Sequence, residues 1–309
     1  MKSLLKLVKP YLRWFILGAT VFFLFKAFKD RASEIANVTI DSQSWLIIAF
    51  ALIVTLIAHV WSGWVWSWIL KLFGQSLGWR QGVRVYLITN IAKYLPGNVW
   101  HFYGRISAIR KKGSSTGVAV LCTVLEPLLM AAAALLIAVV STLLGLVEGQ
   151  SPIALLGQIL ALVAVLAGIH PLVLNPILHR LSKSKAQTET TAKLTTYPLI
   201  PFIGELGFIL LRGFGFLLVM LALQNVCADR ILTVMSAFSI AWLLGLIVPG
   251  APGGIGIFEA TAIALLPAEI FDPAQVLLAV ALYRVISILA EAIAALLAWL
   301  FQRTLNIQH

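Results

Sequence analysis

The chain has 309 residues, of which 61% are hydrophobic and only 11% are Asp, Glu, Lys or Arg, with a mean hydropathy of +0.97. A soluble globular domain carries about a quarter charged residues, so this composition excludes that class and indicates a helical membrane protein with several spans. The formal net charge of +11 is expected to reflect membrane topology first and attraction to anionic lipid second, and no basic soluble face is present that would bind nucleic acid.

Long apolar runs predict about six transmembrane helices, because a helix needs about 20 apolar residues to cross the hydrocarbon core. A transmembrane β-barrel would need short segments of alternating polarity, which these runs do not show. The N-terminal stretch is interpreted as a retained first span, since no small-residue cleavage site follows it. The predicted spans lie at roughly 11–28, 44–70, 114–147, 152–178, 199–224 and 274–302.

The distribution of basic residues between these spans predicts the orientation of the chain. Most Lys and Arg residues between the spans fall on one side, and the few on the other side are Lys26, Lys29, Arg31 and Arg230. By the positive-inside rule the basic side faces the cytoplasm, so both termini are expected there. We therefore expect one integral membrane domain over 1–309 in a bacterial cytoplasmic (inner) membrane.

Two Pro/Gly-rich breaks interrupt the apolar chain, one between the second and third spans and one between the fifth and sixth. Broken helices survive in a bilayer only against protein or a polar cavity, and transporters place their sites there. Each break predicts a re-entrant hairpin, over 82–110 from the cytoplasm and over 230–272 from the opposite side. The break residues are Pro96, Gly97, Pro249, Gly250, Pro252, Gly253, Gly254 and Gly256.

Two spans, a hairpin and a third span would then form a unit that occurs twice with inverted orientation, approximately in 1–150 and 151–309. Such inverted repeats support alternating access around a site near the bilayer midplane. The second arm of each hairpin would begin near Asn98 or Gly254 and present free N–H groups that attract anions, although Asn98 also suits an ordinary N-cap. As an alternative, 231–248 and 254–266 are two ordinary short spans around a Gly-rich turn.

Charged residues inside the predicted membrane segments are the candidate site. Each would cost about 2.5–3.5 kcal/mol near the bilayer centre, so an interior network explains them better than lipid-facing positions do. Arg284 and Glu291 are seven residues apart and share a helix face, as do Glu205 and Arg212, although Glu205 also suits the cytoplasmic interface. Salt bridges that lock helices together are the alternative to substrate contact for each residue. The predicted substrate-binding residues are Lys93, Asn98, Arg105, Glu126, Arg212, Glu259, Arg284 and Glu291.

Four stretches resemble the signature segments of the lysylphosphatidylglycerol synthase transmembrane, or flippase, family. They are NIAKYLPGNVWHFYGR (Asn90 to Arg105), LEP (Leu125 to Pro127), VPGAPGGIGIFEA (Val248 to Ala260) and YRVISILAE (Tyr283 to Glu291). The resemblance covers nearly the whole chain and implies a lipid-translocating module. Its matched motif positions are Pro96, Gly97, Arg105, Glu126, the loop 249–256, Glu259, Arg284 and Glu291.

Members of the family that synthesise aminoacylated lipid carry a further soluble domain, which this chain does not contain. The resemblance therefore implies no lysyl transfer here, and a separate lipid-synthesising enzyme is the partner expected besides the lipid itself. No cofactor and no metal are expected, because Cys122 and Cys227 match no metal or disulfide spacing.

The sequence thus predicts a lipid flippase or transporter, and no enzyme, that moves an anionic, aminoacylated or lipid-linked headgroup through a midplane site. A membrane-embedded transferase acting on a lipid-linked substrate is the first alternative. It would need a catalytic acid/base pair or metal carboxylates, which the sequence does not present. A non-transporting assembly subunit is the second alternative, in which buried charges at opposed hairpins would have no use.

Overall fold

A computed structural model of the protein describes residues 25–26, 29–75, 77–95, 99–146, 151–182, 193–248 and 254–307. These residues form helices and connecting turns, and no strand occurs within the ranges given. The predicted all-helical class is confirmed. In chain order the helices are α1 (Ala32–Ala36), α2 (Ser42–Leu72), α3 (Trp79–Asn90), α4 (Trp100–Arg110), α5 (Thr116–Leu143), α6 (Pro152–Gly168), α7 (Pro171–Ser182), α8 (Leu199–Leu223), α9 (Ile231–Ile247), α10 (Ile257–Leu265) and α11 (Pro273–Ile307), with 3-10 turns at Ile91–Tyr94 and Ala228–Arg230.

Several helices start at side chains that satisfy free backbone N–H groups. The Asp41 carboxylate accepts a hydrogen bond from the Ser44 N–H at 2.7 Å, where α2 begins. The hydroxyls of Ser115 and Ser151 accept from the backbone three residues ahead at the starts of α5 and α6. Because the first turn of a helix leaves its N–H groups without intrahelical partners, these residue types mark where each long helix starts.

Five helical segments are long and apolar enough to cross a membrane, namely Ser42–Leu72, Thr116–Leu143, Leu199–Leu223, Ala228–Ile247 and Pro273–Phe301. Four of them coincide with the predicted spans at 44–70, 114–147, 199–224 and 274–302, which the structure confirms. Over the predicted span at 152–178 the structure has two helices, α6 and α7, which are bent by 60° and are together long and apolar enough for one broken span. Pro171 starts α7 and lacks the N–H that would continue α6. The predicted span at 11–28 lies almost entirely outside the described residues.

The helices beside the two breaks differ in length. At the first break, α3 has 12 residues and α4 has 11, so each is shorter than the roughly 20 residues that a full crossing needs. At the second break, Ala228–Ile247 is long enough to cross, whereas α10 has only nine residues. Hairpin arms of this length fit the first break, and α9 as a full span remains the alternative at the second. Of the predicted break and tip residues, Pro96, Gly97, Asn98, Pro249, Gly250, Pro252 and Gly253 lie outside the described residues.

The buried side chains form two hydrophobic clusters along the length of the bundle. The helices α2, α5 and α11 are long enough to contribute to both. The first cluster also contains α8, α9 and α10, and the second also contains α3 and α4. The helices that flank the two breaks therefore pack into different clusters, and the three long helices contribute to both.

Small residues allow α8 to lie close against α2. A side chain at Gly204 would bring its Cβ to 2.6 Å from Val65 and 2.8 Å from Trp68. The Trp61 indole N–H also donates to the Gly204 carbonyl at 2.7 Å. Because lipid tails are as apolar as the side chains, close packing and interhelical hydrogen bonds of this kind hold membrane helices together.

Candidate functional site

A cavity of about 360 Å³ lies between α5, α8, α9, α11 and the turn Ile91–Tyr94. Its charged lining comes from that turn, α8 and α11, and its apolar lining comes mainly from α5 and α9. The charged residues are Lys93, Arg212, Arg284 and Glu291. The apolar residues on α5 and α9 are Val124, Pro127, Leu128, Ala131, Trp242, Leu246 and Ile247.

The apolar side of the cavity reaches the outer surface of the bundle. Val124 on α5 and both Leu246 and Ile247 on α9 are exposed as well as lining the cavity. An exposed apolar surface on a membrane helix is a surface that meets lipid tails. The cavity therefore has a polar interior that borders on the region where acyl chains would lie.

One group of charges links the first break to α11. Lys93 Nζ donates to Glu291 Oε1 at 2.6 Å, and His59 Nε2 lies 3.3 Å from the same oxygen. Arg212 Nη1 approaches His59 Nε2 at 3.4 Å. A neutral His59 can use Nε2 either to donate to Glu291 or to accept from Arg212, but not for both. The hydrogen bonds of this group therefore depend on which His59 tautomer is present.

Arg212 has an unbalanced positive charge within this group. No carboxylate in the described ranges lies within ion-pair distance of it, and its Nε has no hydrogen-bond partner there. Its guanidinium packs 5.1 Å from the centre of the Tyr283 ring. One Glu291 oxygen, Oε2, is also buried and has no partner among the residues described. Both groups have unused hydrogen-bonding capacity beside the cavity.

A second ion pair links the second break to α11. Arg284 donates through Nε to Glu259, and its Nη2 donates to the Gly254 carbonyl at 3.3 Å. Glu259 also accepts from the Gly256 N–H, so its carboxylate caps the start of α10. The pair thus fixes the segment that follows the break, and Arg284 itself faces the cavity.

A third ion pair, Arg105 with Glu126, lies away from the cavity. Arg105 Nη1 donates to Glu126, and Nη2 donates to the Asn90 side chain at 3.3 Å. Glu126 also accepts from the Tyr86 hydroxyl at 2.6 Å, and the Ser62 hydroxyl lies 2.7 Å from the same phenol oxygen. The Arg105 guanidinium stacks 3.9 Å from the centre of the Tyr86 ring. This pair is fully enclosed by protein.

The predicted site residues therefore divide into three groups. Lys93, Arg212, Arg284 and Glu291 meet at the cavity, and Glu259 lies behind Arg284. Arg105 and Glu126 form a separate buried network, and Asn98 lies outside the described residues. The shared face predicted for Arg284 and Glu291 is present. Glu205, for which the cytoplasmic interface was also considered, is completely buried within the protein. A role in binding substrate stays a prediction for every member.

Sequence reasoning missed several polar residues around these charges. Tyr86 and Asn90 both contact the third ion pair, and they lie four residues apart on one face of α3. That spacing beside an intramembrane glutamate is the signal that could have identified them. His101, Tyr94 and Ser287 line the cavity and lie inside the family-like stretches, but no property of these individual residues singled them out.

Within the described part of the chain, no group of three or more His, Cys, Asp or Glu side chains is arranged to hold a metal ion.

A family model described as the lysylphosphatidylglycerol synthase TM region matches residues 12–295 of the chain. A comparison with curated proteins found no match. The family match spans all three ion pairs and both breaks.

Proposed function

Because this chain belongs to the lysylphosphatidylglycerol synthase transmembrane-region family, we propose that it is a lipid flippase or lipid transporter. It moves an anionic, aminoacylated or lipid-linked headgroup across the bilayer. The observation that carries the proposal is the cavity with a charged lining on one set of helices and an apolar, lipid-facing lining on another.

The charged lining suits an anionic group such as a lipid phosphate. Lys93 is balanced by Glu291 and Arg284 by Glu259, whereas Arg212 has no carboxylate partner in the described chain. In surroundings of low dielectric, one unbalanced cation attracts an anion more strongly than it would in water. An arginine fork matches phosphate geometry, and its charge-assisted hydrogen bonds are roughly twice as strong as neutral ones.

The apolar lining suits the acyl chains of the same molecule. Val124, Leu246 and Ile247 connect the cavity to the outer surface of the bundle. A lipid could therefore place its headgroup inside while its tails remain in the hydrocarbon phase. This arrangement lowers the cost of translocation, because the polar headgroup never has to cross bare hydrocarbon.

The topology of the proposed transporter follows from the charge distribution and the breaks. We place both termini in the cytoplasm and the protein in a bacterial inner membrane, with inverted halves at approximately 1–150 and 151–309. The breaks form re-entrant hairpins that open to opposite sides, which the short α3, α4 and α10 support. The chain itself is proposed to have no enzymatic activity, and its lipid would be supplied by a separate lipid-synthesising enzyme.

Transfer between leaflets in reconstituted liposomes tests this function. Purified protein with headgroup-labelled phospholipids should exchange lipid faster than protein-free liposomes do, and Arg212→Gln should slow an anionic lipid. A charge-assisted hydrogen bond is worth about 1.5–3 kcal/mol, so the rate should fall roughly 10- to 100-fold. Arg230→Gln is the matched control, because Arg230 ends the 3-10 turn Ala228–Arg230 and pairs with exposed Asp229.

The lipid panel decides between this function and the alternatives. It should include anionic, zwitterionic and aminoacylated lipids, each with and without a proton gradient. If none of them moves faster than in protein-free liposomes, the transport proposal fails, and the transferase or assembly function becomes the better explanation. Equal slowing by Arg212→Gln and Arg230→Gln would remove Arg212 from the site.

A further inference from the structure

Glu205 on α8 is an acidic residue that the proposed lipid site does not use. Its side chain is completely buried, and neither carboxylate oxygen has a hydrogen-bond partner in the described chain. It does not line the cavity. A buried ionised carboxylate without a partner is so costly that the group takes up a proton instead. Ionisable residues with these surroundings inside membrane segments mark proton relays and ion pathways.

The titratable groups whose charges act on Glu205 lie on α3, α4 and α5, and of these three helices α5 packs directly on α8. Glu126 on α5 and Arg105 on α4 are the charges whose fields reach it, and Tyr86 on α3 is a further titratable neighbour. Of the other helices packed on α8, α9 contains no titratable residue. On α2 and α11, His59 and Glu291 contact each other beside the cavity instead.

The charge of a single arginine, Arg105, therefore acts on two buried carboxyl groups, Glu126 and Glu205. Arg105 is engaged with Glu126, which also accepts from Tyr86, so both Glu126 oxygens are satisfied. No donor remains for Glu205 among the described residues. If both acids were ionised, the group would hold two negative charges against one positive charge in a water-excluded site. A single proton on Glu205 restores neutrality.

We propose that Glu205 is a proton-binding site, and that its exchange with Glu126 for the Arg105 guanidinium couples lipid movement to a proton gradient. A proton from water on one side binds a Glu205 carboxylate oxygen and forms its O–H bond. When Arg105 turns from Glu126 to Glu205, that O–H bond breaks and the proton passes to a Glu126 oxygen. When Arg105 returns to Glu126, the Glu126 O–H bond breaks, that proton leaves to water on the other side, and Glu205 takes up the next proton from the first side. One proton is therefore held in either state, and one crosses in each cycle.

The connection to lipid runs through α4. His101 and Phe102 on this helix line the cavity, and Arg105 lies one turn further along it. A headgroup that displaces the cavity face of α4 therefore also displaces Arg105 from Glu126. This coupling rests on the proposed transport function, whereas the proton on Glu205 does not.

Infrared spectroscopy of the purified protein tests the proton site without any transport. A protonated carboxylic acid has a carbonyl stretching band distinct from that of a carboxylate. The wild type at neutral pH should show this band, and Glu205→Gln should lose it, because a neutral amide of the same shape replaces the acid. Glu34→Gln is the control, since Glu34 is exposed and pairs with Arg31. A wild type without the band, or a band that survives in Glu205→Gln, would overturn the proposal.

Transport under an imposed pH gradient tests the coupling. For one proton per lipid, each pH unit can change lipid accumulation up to about tenfold. In the wild type and in Glu34→Gln, the rate with the gradient should exceed the rate without it in one direction. In Glu205→Gln this ratio should fall to unity, whatever the basal rate. Wild-type transport that ignores the gradient would overturn the coupling and leave the transport function standing. No transport of any lipid would reject the transport function, and the infrared result would still decide the proton site.

Discussion

The two breaks carry ion pairs at corresponding positions but with opposite polarity. After the first break, the cation Arg105 on α4 pairs with the acid Glu126 on the next long helix, α5. After the second break, the acid Glu259 on α10 pairs with the cation Arg284 on the next long helix, α11. Each pair joins the short helix behind a break to the long helix that follows it. This correspondence is what two related halves of a chain would produce.

The two ion pairs differ in the exposed fraction of their side chains. The side chains of Arg105 and Glu126 are 2% and 3% exposed, and Tyr86 and Asn90 complete their hydrogen bonds. The side chains of Arg284 and Glu259 are 18% and 5% exposed, and Arg284 faces the cavity. Charges that follow the two breaks in the same order along the chain therefore have different surroundings. We expect the enclosed pair to stabilise the helix packing and the pair at the cavity to contact a ligand.

Cysteine labelling should give the largest difference between the two breaks, because a cysteine on one side of the membrane either reacts fully with a reagent on that side or does not react. If the halves are inverted, single cysteines at Arg80 and Lys111 should react only from the cytoplasm and those at Asp229 and Asp272 only from outside. The background is Cys122→Ser with Cys227→Ser, because Cys227 is exposed. The measurement is labelling by an impermeant reagent in intact cells and in inverted vesicles. If the two ends of one break label from opposite sides, that segment crosses the membrane fully and the correspondence is lost.

Arg105→Gln should cause the largest loss of stability among the charge variants. It leaves Glu126 buried without its cation, and breaking a buried pair from one side costs about 3–5 kcal/mol. The measurement is chemical unfolding of the purified variant in detergent. Arg284→Gln is the comparison, because a more exposed pair loses less when it is broken. A loss with Arg105→Gln no greater than that with Arg284→Gln would contradict the separation of roles.

Without a pH gradient, Arg284→Gln should slow anionic lipid more than Arg105→Gln does, which is the reverse of their order in loss of stability. Arg284→Gln removes a cavity cation, and the loss of one charge-assisted hydrogen bond, about 1.5–3 kcal/mol, should slow anionic lipid roughly 10- to 100-fold. Rates should be measured at a temperature where both variants remain folded. A neutral headgroup is the internal control, because it has no charge to lose. If anionic and neutral lipids slow equally, Arg284 does not contact the headgroup.

Long helices were predictable from the sequence because their apolar runs are local. The boundaries of α2, α5, α8 and α11 match the predicted spans closely, and the seven-residue spacing of Arg284 and Glu291 placed both on the cavity face. The bend between α6 and α7 was missed, although Pro171 was its local signal. Elements whose sequence signals lie within a few residues of one another can be predicted without knowledge of the tertiary structure.

Partner choice among the charges was not predictable. Lys93 and Glu291 are 198 residues apart, and nothing local selects Glu291 over the other three intramembrane acids. The same holds for Glu205, which received no cation because packing directs Arg105 to Glu126. These outcomes depend on how α4, α5 and α8 meet, and four charges of each sign allow many pairings. The sequence could therefore predict the network but not its enclosed and cavity-facing parts.

Substitution of Gly254 should have the smallest effect and tests the close contact between α9 and the segment that follows the second break. Its φ is +72°, which favours glycine, and an added Cβ would lie 2.9 Å from the Gly245 carbonyl oxygen on α9. Its own carbonyl accepts from Arg284, so a shift here also displaces the cavity cation. Gly254→Ala should cost about 1–3 kcal/mol of unfolding free energy.

Gly157→Ala is the matched control for this substitution. Gly157 lies inside α6 with nothing within 4 Å of an added Cβ, so alanine should instead stabilise that helix by about 0.5–1 kcal/mol. Unfolding midpoints of both variants, measured beside lipid transfer rates, give the comparison. Opposite signs are expected in stability, with slower transfer in Gly254→Ala alone. If Gly254→Ala is as stable as the wild type, the close contact between α9 and the start of α10 is not what holds Arg284 at the cavity.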